Sequence, residues 1–439
     1  MGSSTDLPVT AKLAGLEAPQ AAIGAAETNV AIVGFGTVGR AVAKILCNRE
    51  GQDLRLTHIA NRKIERKKVD WVPCDVTWTE DFDDVVLGPD VDVVVELIGG
   101  LHPAKELVSR ALAAGKSVVT ANKQLIAEHG PELLALARKS GQALVFGASV
   151  CGGMPVLPAL ESGLGGDRVI DVQGVLNGTC NYILSRIENE RVSFEEALAE
   201  AQELGYAEAD PTDDVDGYDA RAKLTILARI ALRREVSASS IPCRTIRSIK
   251  ALDFTYAKRI GCTIRQISRA KIEGDTVAAW VQPALVPLTS VPGTAQGSRN
   301  VVVTVGEFGG ENVFSGLGAG GDPTAVAVVS DLLSVARSGP ALKHEPVRAA
   351  AIAPDFESAY FVRLVIDDKP GQLAILASLF SKHGINIDSV LQERGFERQS
   401  LPFVITLEKC LDGALRAALT DMEGLDFLVE NPLSLPILQ

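Results

Sequence analysis

The stretch VAIVGFGTVGRAVAKIL, Val30 to Leu46, constrains the fold of this chain more than any other. A short apolar run meets Gly34, Gly36 and Gly39, and an amphipathic helical pattern follows at once. In a strand-loop-helix unit the first glycine makes the tight turn, the second lets a pyrophosphate approach the backbone, and the third lets the helix pack on the strand. The helix N-terminus then faces the negative charge. Similar units recur from Asn29 to about Phe146. NVAIVGFG, LRLTHIA, VDVVVELIGG, KSVVTANK and ALVFGA read as strands, and TVGRAVAKILC, PAKELVSRALAAG and PELLALARKSG as the helices between them. Strands that are apolar throughout and separated by helices predict a parallel sheet covered on both faces, hence a Rossmann-type α/β domain over residues 29–150.

The end of the second strand decides between cofactors. Where an NAD enzyme carries an acid for the ribose hydroxyl, this chain reads IANRK, so Arg62 and Lys63 are placed to pair with a 2′-phosphate. NADP is the expected cofactor, with NAD also open, and a solvated loop pair is the competing reading of the two cations. At 439 residues the chain needs two to four domains. A net charge of -12 argues against duplex nucleic acid or an anionic membrane surface as partner. Neither a membrane-spanning apolar run nor a signal peptide is legible, so the expected location is cytoplasmic. The 7 cysteines are dispersed without a C-x-x-C pair, which suits a reducing compartment and gives no zinc signature.

Residues 1–28 read as a loose leader rich in Ala, Gly, Pro and Thr. Residues 151–342 form a mixed α/β catalytic and dimerisation region, 343–358 a linker, and 359–439 a compact ferredoxin-like βαββαβ unit. Within the middle region, GYAEADPTDDVDGYDARAK, Gly205 to Lys223, concentrates acids and ends on a lysine. A calcium loop fails: with Gly217 at loop position six, Lys223 falls where the cage needs a bidentate glutamate. Asp219 and Lys223 lie four apart on one face of a predicted helix, so the acid can orient the amine. A surface ion pair is the competing reading, weakened by the apolar LTILARIAL that follows. Hydride transfer to a carbonyl creates an alkoxide that a desolvated lysine can protonate, and a substrate ammonium needs carboxylates nearby, with Glu208 and Asp214 as candidates. Lys123, in TANK at the end of a strand, points to the same crevice.

In order along the chain, VAIVGFGTVG, VVTANK, FGASVCGGMPVLPAL, VLNGTCNYIL, GYAEADPTDDVDGYDARAK and GAGGDPTAVAVVSDL resemble the homoserine dehydrogenases, and the tail resembles an ACT domain. The resemblance implies NAD(P)H-dependent, reversible reduction of L-aspartate 4-semialdehyde to L-homoserine, on the route to threonine, methionine and isoleucine. It implies Lys223 as proton donor, Asp219 as its acidic partner, Glu208 as a substrate contact, and Lys123 between cofactor and substrate. Phe35, Thr37, Val38, Arg62, Gly178 and Gly321 then resemble dinucleotide contacts. Gly147 departs from the family, which usually has a glutamate there that helps bind a monovalent cation such as sodium; Val150, Gly152 and Met154 still match the backbone carbonyl positions. Gln124 departs too, where aspartate is common. The ACT resemblance implies threonine feedback, with Asp368, Gly371, Asn386 and Ile387 as candidate contacts, and a homodimer or homotetramer. A pure dimerisation module is the alternative for the tail. For the whole chain the alternatives are a non-catalytic sensor of dinucleotide and amino acid, and a dehydrogenase of a related semialdehyde.

Overall fold

The computed structural model describes residues 27–49, 53–338 and 347–438, so the expected leader lies almost wholly outside the described residues. Strands β1 (Thr28–Val33), β2 (Leu54–Ala60), β3 (Thr77–Thr79), β4 (Val93–Glu96), β5 (Ser117–Thr120) and β6 (Leu144–Val145) form one sheet. Their order is β3-β2-β1-β4-β5-β6, and every pairing is parallel. The order reverses between β1 and β4, which opens a crevice at their C-terminal ends. Alternation along β1 splits its apolar residues between two cores. Ala31 and Val33 face the helices Ala104–Ala113 and Lys123–Ser140, while Val30 and Ile32 face Thr37–Asn48.

That second face is also covered by Gly321–Ser338, through Ala325, Val328, Val329, Leu332 and Val335. The helix lies in the segment assigned by sequence to the catalytic region, yet it completes the parallel-sheet half. A parallel sheet needs both faces covered, and the chain returns from the next domain to supply the missing cover.

The other strands are β7 (Val169–Val175), β8 (Arg234–Glu235), β9 (Cys262–Glu273), β10 (Thr276–Pro287), β11 (Arg299–Gly306), β12 (Gly310–Leu317), β13 (Arg348–Ala349), β14 (Glu357–Ile366), β15 (Ile387–Gln392), β16 (Leu401–Leu411) and β17 (Leu433–Ile437). Nine of them make one sheet in the order β12-β11-β7-β9-β10-β17-β14-β16-β15. Its last four strands, with helices Gln372–Lys382 and Asp412–Met422, are the expected βαββαβ unit in ferredoxin-like order. The unit is not a detached tail. Leu285 of β10 pairs with Ile437 of β17, and Phe361, Val404 and Leu435 share a core with Ile183, Phe194, Phe254 and Tyr256 of the middle region.

The expected linker is likewise tied down where it is described. β13 pairs with β8, and Val277 of β10 donates its N–H to the carbonyl of Ala351 and accepts from the N–H of Ala353. The backbone groups of Val277 on the side away from β9 need partners, and this segment provides them.

Candidate active site

The glycine loop has the geometry its sequence demands. Gly34 has φ +107°, and a Cβ there would lie 2.6 Å from the Leu97 carbonyl. A Cβ on Gly39 would strike the Gly34 carbonyl, whereas one on Gly36 would meet nothing within 4 Å among the described residues. The open space sits at the glycine that a pyrophosphate would approach. Asn61 at the end of β2 accepts the Phe35 N–H through Oδ1 at 2.9 Å. The Phe35 ring is buried against Trp71 and Trp78, so this residue offers the crevice its backbone. Thr37 meets Gly321, where a Cβ would come within 2.9 Å of the Thr37 methyl, and Val38 packs into the core beneath. A cavity of about 470 Å³ is lined by Gly34, Gly36, Asn61, Arg62, Lys63 and Lys67. Lys67 is a third cation that sequence reading passed over.

A second cavity, of about 700 Å³, adjoins the first along the loop after β4: Leu97 and Ile98 line one, Gly99 and Gly100 the other. That loop is braced from below. Buried Glu96 accepts the N–H groups of Ile98 and Gly99, and the Thr120 hydroxyl donates to its other oxygen at 2.6 Å. Asn122 donates to the Gly100 carbonyl and caps the helix that begins at Lys123. Lys123 therefore enters the second cavity from a fixed helix start.

Gly217, with φ +88°, opens the helix Tyr218–Ala231. This puts Asp219 in the first turn, favourable for a carboxylate, and Lys223 one turn along the same face. Asp219 is 8% exposed and Lys223 7%. Lys123 Nζ lies 2.7 Å from Asp219 Oδ1, and Lys223 Nζ 2.8 Å from Oδ2. One buried carboxylate thus holds both lysines that sequence singled out. Lys223 also donates to the Leu176 carbonyl at 2.8 Å. Two of its three ammonium N–H groups are accounted for, and the third remains for the cavity.

Burial works against the Asp219 charge, but the Lys223 and Lys123 ammonium groups outweigh it and hold the carboxyl far below the usual range. Burial likewise opposes the Lys223 charge; Asp219, Cys151 and Asp214 more than compensate, and its pKa is raised. Asp214 is pushed up by burial and by neighbouring Asp219.

Sequence reading missed Asn177, the residue that joins these acids. Its Nδ2 donates to Asp214 Oδ1 at 2.6 Å and to Asp219 Oδ2 at 2.9 Å, while its Oδ1 accepts the Cys180 N–H and caps the helix starting at Gly178. Asn before Gly in VLNGTC is a readable helix start, though its grip on the acids is not. Gly178 lines the cavity, and a Cβ there would lie 2.8 Å from the Ser298 carbonyl. Glu208 is exposed on the cavity wall. Gln124 Nε2 is 3.4 Å from Asp213 Oδ2; an aspartate at 124 would face that carboxylate, so glutamine suits this chain.

The turn from Gly147 to Met154 holds the expected cation positions. In place of a side chain at 147 stands the carboxylate of Asp331, 2.5 Å from where a Cβ would be. Asp331 accepts from the Ala148 N–H at 3.3 Å, and burial pushes its pKa up to about 7. The Met154 carbonyl accepts the Val156 N–H at 2.8 Å. Among the described residues no cluster of three His, Cys, Asp or Glu side chains is placed to hold a metal ion.

The four regulatory candidates separate into two pairs. Asp368 and Gly371 (φ +93°) precede the helix Gln372–Lys382, while Asn386 and Ile387 follow it. Register puts Ile387 opposite Leu407, which faces Tyr360, whereas Asp368 lies beyond Ile366 at the far end of β14. Eleven helical residues at ~1.5 Å each keep the two pairs ~16 Å apart in one chain.

A dinucleotide crevice adjoining a pocket in which a buried lysine, held by a carboxylate and a carbonyl, keeps one N–H for the cavity defines a nicotinamide-dependent oxidoreductase. Residues 34–147 match the family profile described as homoserine dehydrogenase, NAD binding domain, and residues 155–333 match that described as homoserine dehydrogenase. The homoserine dehydrogenase of Pseudomonas aeruginosa is 37% identical over 420 residues, 90% of this chain and 95% of the relative. A crystal structure of a homoserine dehydrogenase from Thiobacillus denitrificans superposes with a TM-score of 0.85 at 32% identity, covering 94% of this chain and 98% of that one. A hyperthermophilic archaeal homoserine dehydrogenase mutant in complex with NADPH aligns with 72% of this chain and 99% of its own, at 25% identity and a TM-score of 0.62. The chain belongs to the homoserine dehydrogenase family.

Proposed function

We propose that the chain reduces L-aspartate 4-semialdehyde to L-homoserine with NADPH in preference to NADH, with Lys223 at the reacting oxygen. The observation that carries the reading is the single buried carboxylate of Asp219, which fixes Lys123 and Lys223 in one cavity beside the glycine-loop crevice. The bound nicotinamide supplies or accepts the hydride. Lys223 donates its free N–H to the carbonyl oxygen, stabilises the charge that develops there and passes it a proton. Asp219 keeps the ammonium aimed. Glu208 and Asp214 attract the substrate α-ammonium, and Lys123 stands between the two binding regions. An NADPH-consumption assay with aspartate semialdehyde tests the reading; absence of turnover would favour a sensor.

The raised pKa of Lys223 fixes the sign of a pH dependence. Reduction needs the ammonium, which persists across neutral pH, so its rate should stay level there. Oxidation of homoserine needs the amine as proton acceptor, so its kcat/KM should climb about tenfold per pH unit through the neutral range. Steady-state profiles in both directions check this, and a level oxidation profile would contradict the role of Lys223.

Arg62, Lys63 and Lys67 around the crevice support the NADP preference. Arg62→Ala should raise KM for NADPH about tenfold or more and leave that for NADH within about twofold, since a 2′-phosphate contact is worth roughly 1.5–3 kcal/mol. Equal effects on both cofactors would sink the assignment. A monovalent cation such as sodium would take the carbonyls of Val150, Gly152 and Met154, with Asp331 as the nearby carboxylate. The βαββαβ unit is read as an ACT domain responding to threonine. The separation of its candidate contacts supports a site formed across two protomers, hence a homodimer or higher assembly, with action in the cytoplasm.

A further inference from the structure

We propose that Asn300 is a positioning residue for Lys223, acting through the carbonyl of Leu176. The inference rests on Lys223 exchanging a proton with the reacting oxygen. Asn300 is the second residue of β11, beside the end of β7, where Val301 pairs with Val175. Its side chain is 1% exposed. Nδ2 donates to the Leu176 carbonyl at 2.9 Å and lies 3.5 Å from the Cys151 sulfur. A carbonyl oxygen only accepts, so the nitrogen end of the amide must face it. Among the described residues Oδ1 has no partner where it lies buried next to Gly178, and a Cβ on Gly318 would collide with the amide. Burying a polar atom unpaired is unfavourable; what the placement secures is the other end, on Leu176.

The Leu176 carbonyl has two lone pairs. Asn300 takes one at 2.9 Å, and Lys223 Nζ takes the other at 2.8 Å. That buried carbonyl therefore keeps a partner when Lys223 turns away or changes its protonation state. Asn300 also fixes the strand end from which Asn177 reaches Asp214 and Asp219. Without Asn300, the carbonyl would depend on Lys223 alone. Its demand for a donor would favour the ammonium over the amine, and the lysine would hold the strand end that now orients it.

The test compares Asn300→Ala, the isosteric Asn300→Asp and Lys223→Ala by pH profile of homoserine oxidation, kcat and KM, with thermal unfolding to establish folding. Asn300→Ala removes the donor outright, and Asn300→Asp removes it where the introduced carboxyl is ionised. Each is expected to move the basic limb of log kcat/KM upward by about one pH unit, lowering kcat/KM at pH 8 about tenfold while KM for homoserine changes less than about threefold. An unmoved limb in a folded Asn300 variant, with Lys223→Ala inactive, overturns this inference alone. If Lys223→Ala retains turnover, the reading beneath it fails instead. Failure of both Asn300 variants to fold would assign Asn300 to the fold and likewise overturn the proposal.

Discussion

Lys223→Ala is expected to lower kcat for semialdehyde reduction by at least about a hundredfold, with KM for NADPH unchanged within about twofold. The ammonium is held by a carboxylate and a carbonyl with an N–H left over. In the proposed mechanism its removal takes away both the positive charge and the proton at the developing alkoxide. The fold should survive, because Asp219 keeps Lys123 at 2.7 Å and Asn177 at 2.9 Å. Loss of activity with a native unfolding transition would locate the defect in the chemistry. Equal kcat in variant and parent would remove Lys223 from the mechanism. Lys123→Ala separates the roles further: it leaves Lys223 on Asp219, so its effect should fall more on KM than on kcat.

Local spacing made much of this legible. The glycine loop, the alternation of apolar strands with helices, and the four-residue interval from Asp219 to Lys223 are short-range patterns with a direct physical meaning. Contacts across the chain were not legible. The helix Gly321–Ser338 shows an apolar face in sequence, but nothing there says that it covers β1 rather than its own neighbours. Asn300 stands in an ordinary strand pattern, SRNVVV, and gains meaning only because β11 runs beside the end of β7. Gly147 read as a missing ligand; the structure shows Asp331, 184 residues later, against it. The C-terminal unit was recognisable as βαββαβ, yet its attachment was hidden, since the residues that bind it to the middle region read as ordinary strand and helix residues.

The attachment yields the second large effect. Arg363 in β14 faces the shared core, 4% exposed, and its Nη1 lies 2.6 Å from Oδ2 of Asp253, which is 0% exposed. The same Asp253 oxygen caps its own helix by accepting the Lys250 N–H at 2.8 Å. Arg363→Ala would strand that carboxylate, and breaking a buried pair from one side destabilises by about 3–5 kcal/mol. The loss should grow with pH. Burial already raises the Asp253 pKa despite Arg363; without the guanidinium the folded state would bind a proton that the unfolded state has released, and stability falls as pH rises through that interval. Urea unfolding at pH 5.5 and pH 8 should therefore show the larger deficit at pH 8, and a deficit independent of pH would mean that Asp253 had found another partner. Function should follow stability, because Arg244 donates to Asp412 and Ser434 of the C-terminal unit, while Thr245 and Ile246 bind the Val215 carbonyl between Asp214 and Asp216. An unseated C-terminal unit would pull on the strand of residues that carries the acid loop. Truncation before Ser358 would go further, stripping Phe361, Val404 and Leu435 from the shared core; regulation by an effector is therefore better tested with single substitutions at Asp368 or Asn386.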